Sequence, residues 1–168
     1  MIRKKWLLVF VLVLALCLLS GEAFAGGLPR VTGSGHVYDP GGGLRIATIT
    51  ARMMPDGTIQ GDGQGVVLLD QTVIVHFKVD CVRTFEIEGV EGKGAVVSGW
   101  STKEKNFPPG APVPAYLVVA VFDAGEGNES GDIFSRGIPA PDPEYLDCND
   151  TFPWPLTPLE YGNVQVDW

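Results

Sequence analysis

The stretch that decides the fold is residues 72–81, TVIVHFKVDC. Every odd-numbered residue in it is apolar, while the even-numbered ones include His76, Lys78 and Asp80. Because successive side chains of a β-strand point to opposite faces, this alternation predicts a strand with one buried and one solvated face. The same alternation places the last residue, Cys81, on the core face.

Similar runs lie on both sides of this strand. Residues 44–53, LRIATITARM, alternate and are followed by Asp56-Gly57, a favoured pair for a tight hairpin. Residues 58–69 continue in extended form, with glycines at 61, 63 and 65 on one face that mark a bend, a bulge or a close backbone approach. Residues 84–90 and 95–102 predict a further hairpin.

The second half of the chain predicts fewer and shorter strands. Residues 115–123, AYLVVAVFD, are apolar on both faces and predict a central strand buried on each side. Residues 133–136 and 163–168 predict two short strands, and the proline-rich segment 139–158 is expected to wrap as extended coil. About eight strands in one all-β domain fit either a single antiparallel meander barrel of lipocalin size or a two-sheet sandwich.

Residues 1–25 predict a cleaved signal peptide. The chain starts with a basic pentapeptide, continues with an uncharged apolar run over residues 6–19, and then has the small-x-small box Ala23-Phe24-Ala25. This run is shorter than the roughly 20 residues that a membrane-spanning helix needs. Cleavage between Ala25 and Gly26 would leave residues 26–168 as a single β-rich domain. We expect that domain to be secreted and not to insert into a membrane.

The net charge of the chain restricts the classes of partner that it can bind. The whole chain has a net charge of −8, and loss of the leader, which has three basic residues and one acidic residue, takes it to −10. Such a charge repels the phosphate backbone, so we expect no nucleic-acid partner. It also disfavours adsorption to anionic membrane surfaces.

Two cysteines remain after cleavage, Cys81 and Cys148. An even pair in an exported chain predicts a disulfide. The two histidines do not stand near either cysteine in a spacing typical of zinc sites.

One acidic, glycine-rich loop, residues 123–132, is a candidate calcium site. Its oxygen-bearing side chains are Asp123, Glu126, Asn128, Glu129 and Asp132. Calcium takes six to eight oxygen ligands, which a flexible loop of this kind can supply. The spacing does not match an EF-hand, and the alternative is a solvated hairpin turn. No other cofactor is indicated.

No catalytic motif is evident. His36 and His76 lack a nearby nucleophile motif, and no Gly-x-Ser-x-Gly elbow is present. The carboxylates Glu86, Glu88 and Glu91 could serve glycoside hydrolysis, but they also fit a solvated strand face. Several aromatic residues could line a ligand pocket or a sugar-binding face, or could simply fill the core: Trp100, Trp154, Trp168, Tyr116, Tyr145 and Tyr161.

An ordered set of short motifs resembles a group of small uncharacterised secreted bacterial proteins. The shared order is V-x-C, D-x-G-E-G, a single cysteine and G-N-[IV]-x-V, which here are Val79-Asp80-Cys81, Asp123-Ala124-Gly125-Glu126-Gly127, Cys148 and Gly162-Asn163-Val164-Gln165-Val166. The resemblance covers most of residues 32–168. It implies secretion and an all-β fold, and it supplies no activity and no catalytic residues.

Two functional hypotheses follow. The first is a secreted, non-enzymatic β-domain that binds a small ligand or a cell-surface component. The alternative is a secreted hydrolase with dispersed acidic residues. A deep pocket lined by two carboxylates would favour the hydrolase.

Overall fold

The computed structural model describes residues 27–38, 43–68, 73–107, 109–125, 131–135, 137–144, 146–150 and 156–168. Over these residues the protein is all-β, and they include no α-helix. Within this part of the chain, no helix is long and apolar enough to cross a membrane. The signal peptide and the Ala25–Gly26 cleavage site lie outside the described residues.

The all-β prediction is confirmed, and the described residues form ten strands where the sequence suggested about eight. Five of the first six strands are long, with nine to thirteen residues each, and the later ones are mostly short. The strands are β1 Arg30–Tyr38, β2 Leu44–Met53, β3 Ile59–Leu68, β4 Val73–Phe85, β5 Lys93–Lys105, β6 Tyr116–Asp123, β7 Ile133–Ser135, β8 Ile138–Ala140, β9 Leu156–Pro158 and β10 Tyr161–Asp167.

All ten strands belong to one antiparallel sheet. Strands β1 to β6 pair in chain order, β10 pairs outside β1, and β7 followed by β9 extends the sheet beyond β6. The sheet curls into a half-barrel, which agrees with the barrel and not with the two-sheet sandwich. We call the concave side the inner face and the convex side the outer face.

The proline-rich segment differs from its prediction as coil. It contributes two three-residue strands, β8 and β9. Strands β7 and β8 share one edge of β6: β7 pairs with Val121 and Phe122, and β8 pairs with residues 116–118. Two short strands in succession therefore cover an edge that one longer strand would otherwise occupy.

Strand β4 confirms the predicted alternation up to Val79 and corrects the position of Cys81. Phe77 and Val79 are buried on the inner face. A β-bulge between Val79 and Cys81 then shifts the register against β5, so Val82 continues the inner face. Cys81 packs instead with a cluster on the outer face. The prediction that Cys81 lies on the same face as Val79 is wrong because the bulge reverses the side-chain parity.

Strand β6 is buried on both faces, as its sequence predicts. Leu117, Val119 and Val121 belong to the inner core, while Val118 and Ala120 belong to the outer cluster. This outer cluster is covered by the segment that follows β8, which includes Leu146 and Cys148. Two layers of apolar side chains therefore pack against β6, which explains its lack of alternation.

The disulfide Cys81–Cys148 is confirmed, with a Cα–Cα distance of 6.0 Å. It attaches the covering segment to the outer face of the sheet. Arg83 strengthens the attachment, because its Nε donates to the Cys148 carbonyl at 2.8 Å and its Nη2 donates to the Asp150 carbonyl at 3.1 Å. In the chain-entropy model, closing a loop of this length stabilises the fold by about 4 kcal/mol.

The two ends of the curled sheet meet along a seam between β10 and the β6–β7 connection. Val164 N donates to Asp132 Oδ2 at 2.7 Å, and Val166 N donates to Asp123 Oδ2 at 3.0 Å. Both amides belong to the edge of β10 that faces away from β1, so the two aspartates occupy the place of a pairing strand. Side-chain hydrogen bonds therefore hold the half-barrel together where strand pairing stops.

Candidate functional site

The curled sheet encloses a cavity of about 180 Å³. Its walls come from β2, β3 and β4 on one side, and from β6, β7 and the segments next to them on the other. The lining is mostly apolar. The described residues that line it are Arg45, Ala47, Thr48, Ile49, Gln64, Gly65, Val67, Val73, Val75, Phe77, Phe107, Leu117, Val119, Phe134, Ser135, Gly137 and Pro139.

The strand register explains why this space is empty. Three rows of paired residues cross β2, β3 and β4 on the inner face, namely Arg45–Val67–Val73, Ala47–Gly65–Val75 and Ile49–Gly63–Phe77. The middle row combines an alanine, a glycine and a valine, so it fills less volume than its neighbours. The cavity therefore forms over the middle row, between the two outer ones.

Phe77 bounds the cavity at one end. Its ring lies over Gly63 of the paired strand, where an added Cβ would overlap the ring atoms. The glycine therefore provides the room for the aromatic side chain. Phe107 and Phe134 add two further aromatic walls. The described tryptophan and tyrosine candidates, Trp100, Trp168, Tyr116 and Tyr161, are not among the residues that line the cavity.

Arg45 is the charged side chain among the described lining residues. It is only 5% exposed, because the parity of β2 puts it on the same inner face as Ala47, Ile49 and Ala51. Its Nη1 donates to the Ser135 carbonyl oxygen at 3.1 Å, which joins the β2 wall to the β7 wall. The sequence of residues 44–53 contains a signal for this inward position, because Arg45 is odd-numbered like the apolar residues Ala47 and Ile49.

The cavity reaches the surface. Pro139, which pairs with the inward-facing Leu117, contributes to its lining and is itself exposed. Gly137 lies between β7 and β8, where its missing side chain leaves space against Val119. A small molecule therefore has a route to the inner face without unfolding of the sheet.

The candidate calcium loop is described only at its two ends. Glu126, Asn128 and Glu129 lie outside the described residues. Asp132 is 1% exposed and accepts from Ala124 N at 3.0 Å as well as from Val164 N. Asp123 accepts from Gly125 N at 2.8 Å and from Val166 N. Both carboxylates therefore accept hydrogen bonds from backbone amides at the seam. Calcium binding by the whole loop stays a prediction.

The other sequence candidates do not converge on the cavity. His36 makes an edge-to-face contact with Tyr161, and His76 lies on the outer face of β4. The three glutamates near the tip of the β4–β5 hairpin, Glu86, Glu88 and Glu91, are exposed. Among the described residues, no group of three or more His, Cys, Asp and Glu side chains could hold a metal ion.

The aromatic candidates that the structure describes are also absent from the described lining of the cavity. Trp100 packs edge-to-face on Tyr116 at 5.2 Å on the outer face, and the Lys93 ammonium lies 4.6 Å from the Trp168 ring centre. Tyr161 is 71% exposed. Trp154 and Tyr145 lie outside the described residues.

Among the described side chains, Tyr116 has a pKa that lies clearly above its ordinary value. Burial raises its pKa from 10.0 to about 12, and the hydrogen bond to Asp80 acts in the same direction. The hydroxyl lies 2.9 Å from Ser98 Oγ and donates to Asp80 Oδ1 at 2.7 Å. A phenol that stays protonated at neutral pH is a hydrogen-bond donor there and not a base. We therefore assign Tyr116 a structural role beneath the covering segment.

Comparison with protein-family models, with curated proteins and with solved structures finds no match for this chain.

Proposed function

We propose that this protein is an exported, non-enzymatic binding protein that holds a small apolar ligand inside its curled sheet. The observation that carries the proposal is the cavity of about 180 Å³, which is lined mostly by apolar side chains and reaches the surface. Small-molecule sites are typically concave, mostly apolar and equipped with a few fixed polar groups. The cavity has this composition.

The volume limits the size of the ligand. A dry cavity of about 150 Å³ admits benzene, whereas drug-sized ligands occupy roughly 300–1,000 Å³. A ligand of about eight non-hydrogen atoms therefore fits, and a long lipid chain does not. At about 0.5–1 kcal/mol per atom, such a ligand binds with about 4–8 kcal/mol. This corresponds to dissociation constants between about 1 mM and 1 μM.

The polar groups in the described walls support binding and not hydrolysis. Among the polar lining residues, Arg45 lies on the inner face and Ser135 on the β7 wall, whereas Thr48 and Gln64 have the outer-face parity of Thr50 and His76. The Ser135 hydroxyl already accepts from Ala120 N at 2.7 Å. Groups of this kind orient a ligand, whereas general acid–base catalysis needs groups that exchange protons near neutral pH. The hydrolase alternative requires two carboxylates in the pocket, and the described walls do not supply them.

Two features support export. Residues 1–25 have the pattern of a signal peptide, and the disulfide suits an oxidising compartment. Mass spectrometry of the secreted protein, produced from the full chain, should show a start at Gly26 and the loss of two hydrogens. Retention of the leader would contradict the export proposal.

Ligand binding is tested with benzene and toluene as probes. We expect both to raise the melting temperature of the wild type and to shift the methyl NMR signals of Val75 and Val119. Ala47→Phe places a ring in the cavity and should abolish both effects. Thr50→Phe, on the exposed outer face of the same strand, is the matched control and should preserve them. A wild type that responds to neither probe would refute the proposal.

A further inference from the structure

The outer face of the sheet has an open polar groove of about 400 Å³ that extends over β2, β3, β4 and β5. Hydroxyl, amide, imidazole, carboxylate and ammonium groups lie side by side in it. The polar residues of its described lining are Thr48, Thr50, Asp62, Gln64, His76, Thr102 and Lys103. Most of these groups are neutral donors and acceptors, which suits a molecule that itself has many hydroxyl groups.

A β-bulge in β5 determines which charged side chains reach this groove. The register between β4 and β5 shifts at Thr102, which is the extra residue on β5. Strict alternation would give Lys103 and Lys105 the parity of Ser101, which is buried. The bulge instead puts both lysines opposite even-numbered residues of β4, whose side chains point outward, and both lysines are exposed. They follow each other along the strand at a spacing of about 7 Å.

The two lysines make this part of an acidic protein cationic. Lys78 and Asp62 neutralise each other in an ion pair of 2.5 Å. Within the described part of the chain, neither Lys103 nor Lys105 forms an ion pair. The whole chain has a net charge of −8, so the groove is a local exception. An anionic partner is therefore attracted to this face and repelled by most of the remaining surface.

An exposed tryptophan lies next to the cationic groove. Trp100 is on the same strand as the two lysines and pairs with Lys78 of β4. Its indole is 36% exposed and is held by the edge-to-face contact with Tyr116. A fixed indole with an accessible surface offers a flat apolar platform, on which the C–H groups of a sugar ring can stack. Strand β5 therefore presents a stacking platform followed by two cations.

We propose that this outer groove binds an acidic polysaccharide, with one sugar ring on Trp100 and sugar carboxylates at Lys103 and Lys105. The neutral polar groups of the groove then serve the sugar hydroxyls. The inference goes beyond the proposed function, because none of these three residues lines the cavity. The charge pattern favours a single flexible chain in the groove, since a duplex of phosphates or a flat anionic membrane also meets the acidic surroundings.

The first experiment compares charged and neutral forms of one sugar chain on the wild-type protein, produced from the full chain. The probes for calorimetric titration are tetragalacturonate and its methyl ester, which has the same backbone without the charges. We expect the acid to bind at least tenfold more tightly than the ester, and its affinity to fall as salt is added. Equal affinities, or binding of neither probe, would overturn the proposal. Equally tight binding of a thymidine oligonucleotide or of phosphatidylglycerol vesicles would overturn the choice of a polysaccharide.

The second experiment assigns the charge preference to the two lysines. The double variant Lys103→Gln/Lys105→Gln should bind tetragalacturonate at least tenfold more weakly and the methyl ester as the wild type does. The double variant Arg30→Gln/Arg52→Gln is the matched control, because it changes the net charge equally at exposed positions of β1 and β2. Equal losses in the two double variants would show that overall charge and not the groove attracts the ligand.

The third experiment tests the stacking platform. Trp100→Ala should weaken binding of both the acid and the ester, since stacking does not depend on charge, whereas Trp100→Tyr should retain most of it. If Trp100→Ala does not fold, the indole N–H NMR signal of Trp100 in the wild type provides the test. We expect this signal to shift with tetragalacturonate, and an unmoved signal would contradict the stacking. Toluene binding by the wild type is measured separately, so failure of the groove proposal and failure of the cavity proposal are distinguishable.

Discussion

The seam of the half-barrel depends on Asp132, and asparagine cannot replace it. The two carboxylate oxygens accept from two different backbone amides, Ala124 N at 3.0 Å and Val164 N at 2.7 Å. An asparagine has the same shape but carries one oxygen and one NH₂ group. Whichever way its amide is turned, one backbone N–H faces another donor in a site that is 1% exposed.

The expected cost follows from these two contacts. A hydrogen bond to a charged group contributes about 1.5–3 kcal/mol, and a buried donor left without an acceptor costs about 1–3 kcal/mol. Asp132→Asn loses one acceptor and converts the other from charged to neutral, while it also relieves the burial of a charge. We expect a net loss of about 2–4 kcal/mol in the free energy of unfolding. This is a large part of the 5–15 kcal/mol that is typical of a domain.

Urea denaturation followed by tryptophan fluorescence measures this loss as a lower midpoint at constant m-value. Asp62→Asn is the matched control, because Asp62 is exposed and its 2.5 Å ion pair with Lys78 lies in solvent. Such surface pairs contribute about 0–1 kcal/mol. Amide hydrogen exchange should also show faster exchange at Ala124 and Val164 in Asp132→Asn. Equal destabilisation by the two substitutions would refute the assignment of Asp132 as the seam acceptor.

Three further perturbations test other parts of the structure. Gly63→Ala should destabilise the fold by about 1–3 kcal/mol through overlap with the Phe77 ring, whereas Gly65→Ala should cost less; equal midpoints in urea would contradict this packing. Stability should fall with rising pH between about 10 and 12, because Tyr116 ionises at lower pH in the unfolded chain than in the folded one. Tyr116→Phe should lose less stability than the wild type over this pH range. The same dependence of unfolding free energy on pH in both proteins would contradict the raised pKa of Tyr116. Reduction of the disulfide should cost about 4 kcal/mol, measured by denaturation with and without reductant; a cost near zero would mean that the covering segment is held by its other contacts.

Local periodicity accounts for the parts of the fold that the sequence predicts well. Residues 44–53 coincide with β2, and the two-sided apolar run at residues 115–123 matches β6 to within one residue. The disulfide is predictable because only two cysteines follow residues 1–25, the predicted leader. The strands follow from side-chain alternation within a short segment. The disulfide follows from the number of cysteines in the chain.

The sequence by itself thus determined the all-β class, the bridged cysteines and most of the long strands, because each follows from local patterns. Tertiary structure alone decided the bulge at Cys81, the cavity and the seam. The cavity exists because register places Ala47 opposite Gly65 and Gly65 opposite Val75, and register joins residues that are far apart in the chain. The parity of β2 alone places Arg45 on the same face as Ala47 and Ile49, but only the curl of the sheet into a half-barrel makes that face the wall of a cavity.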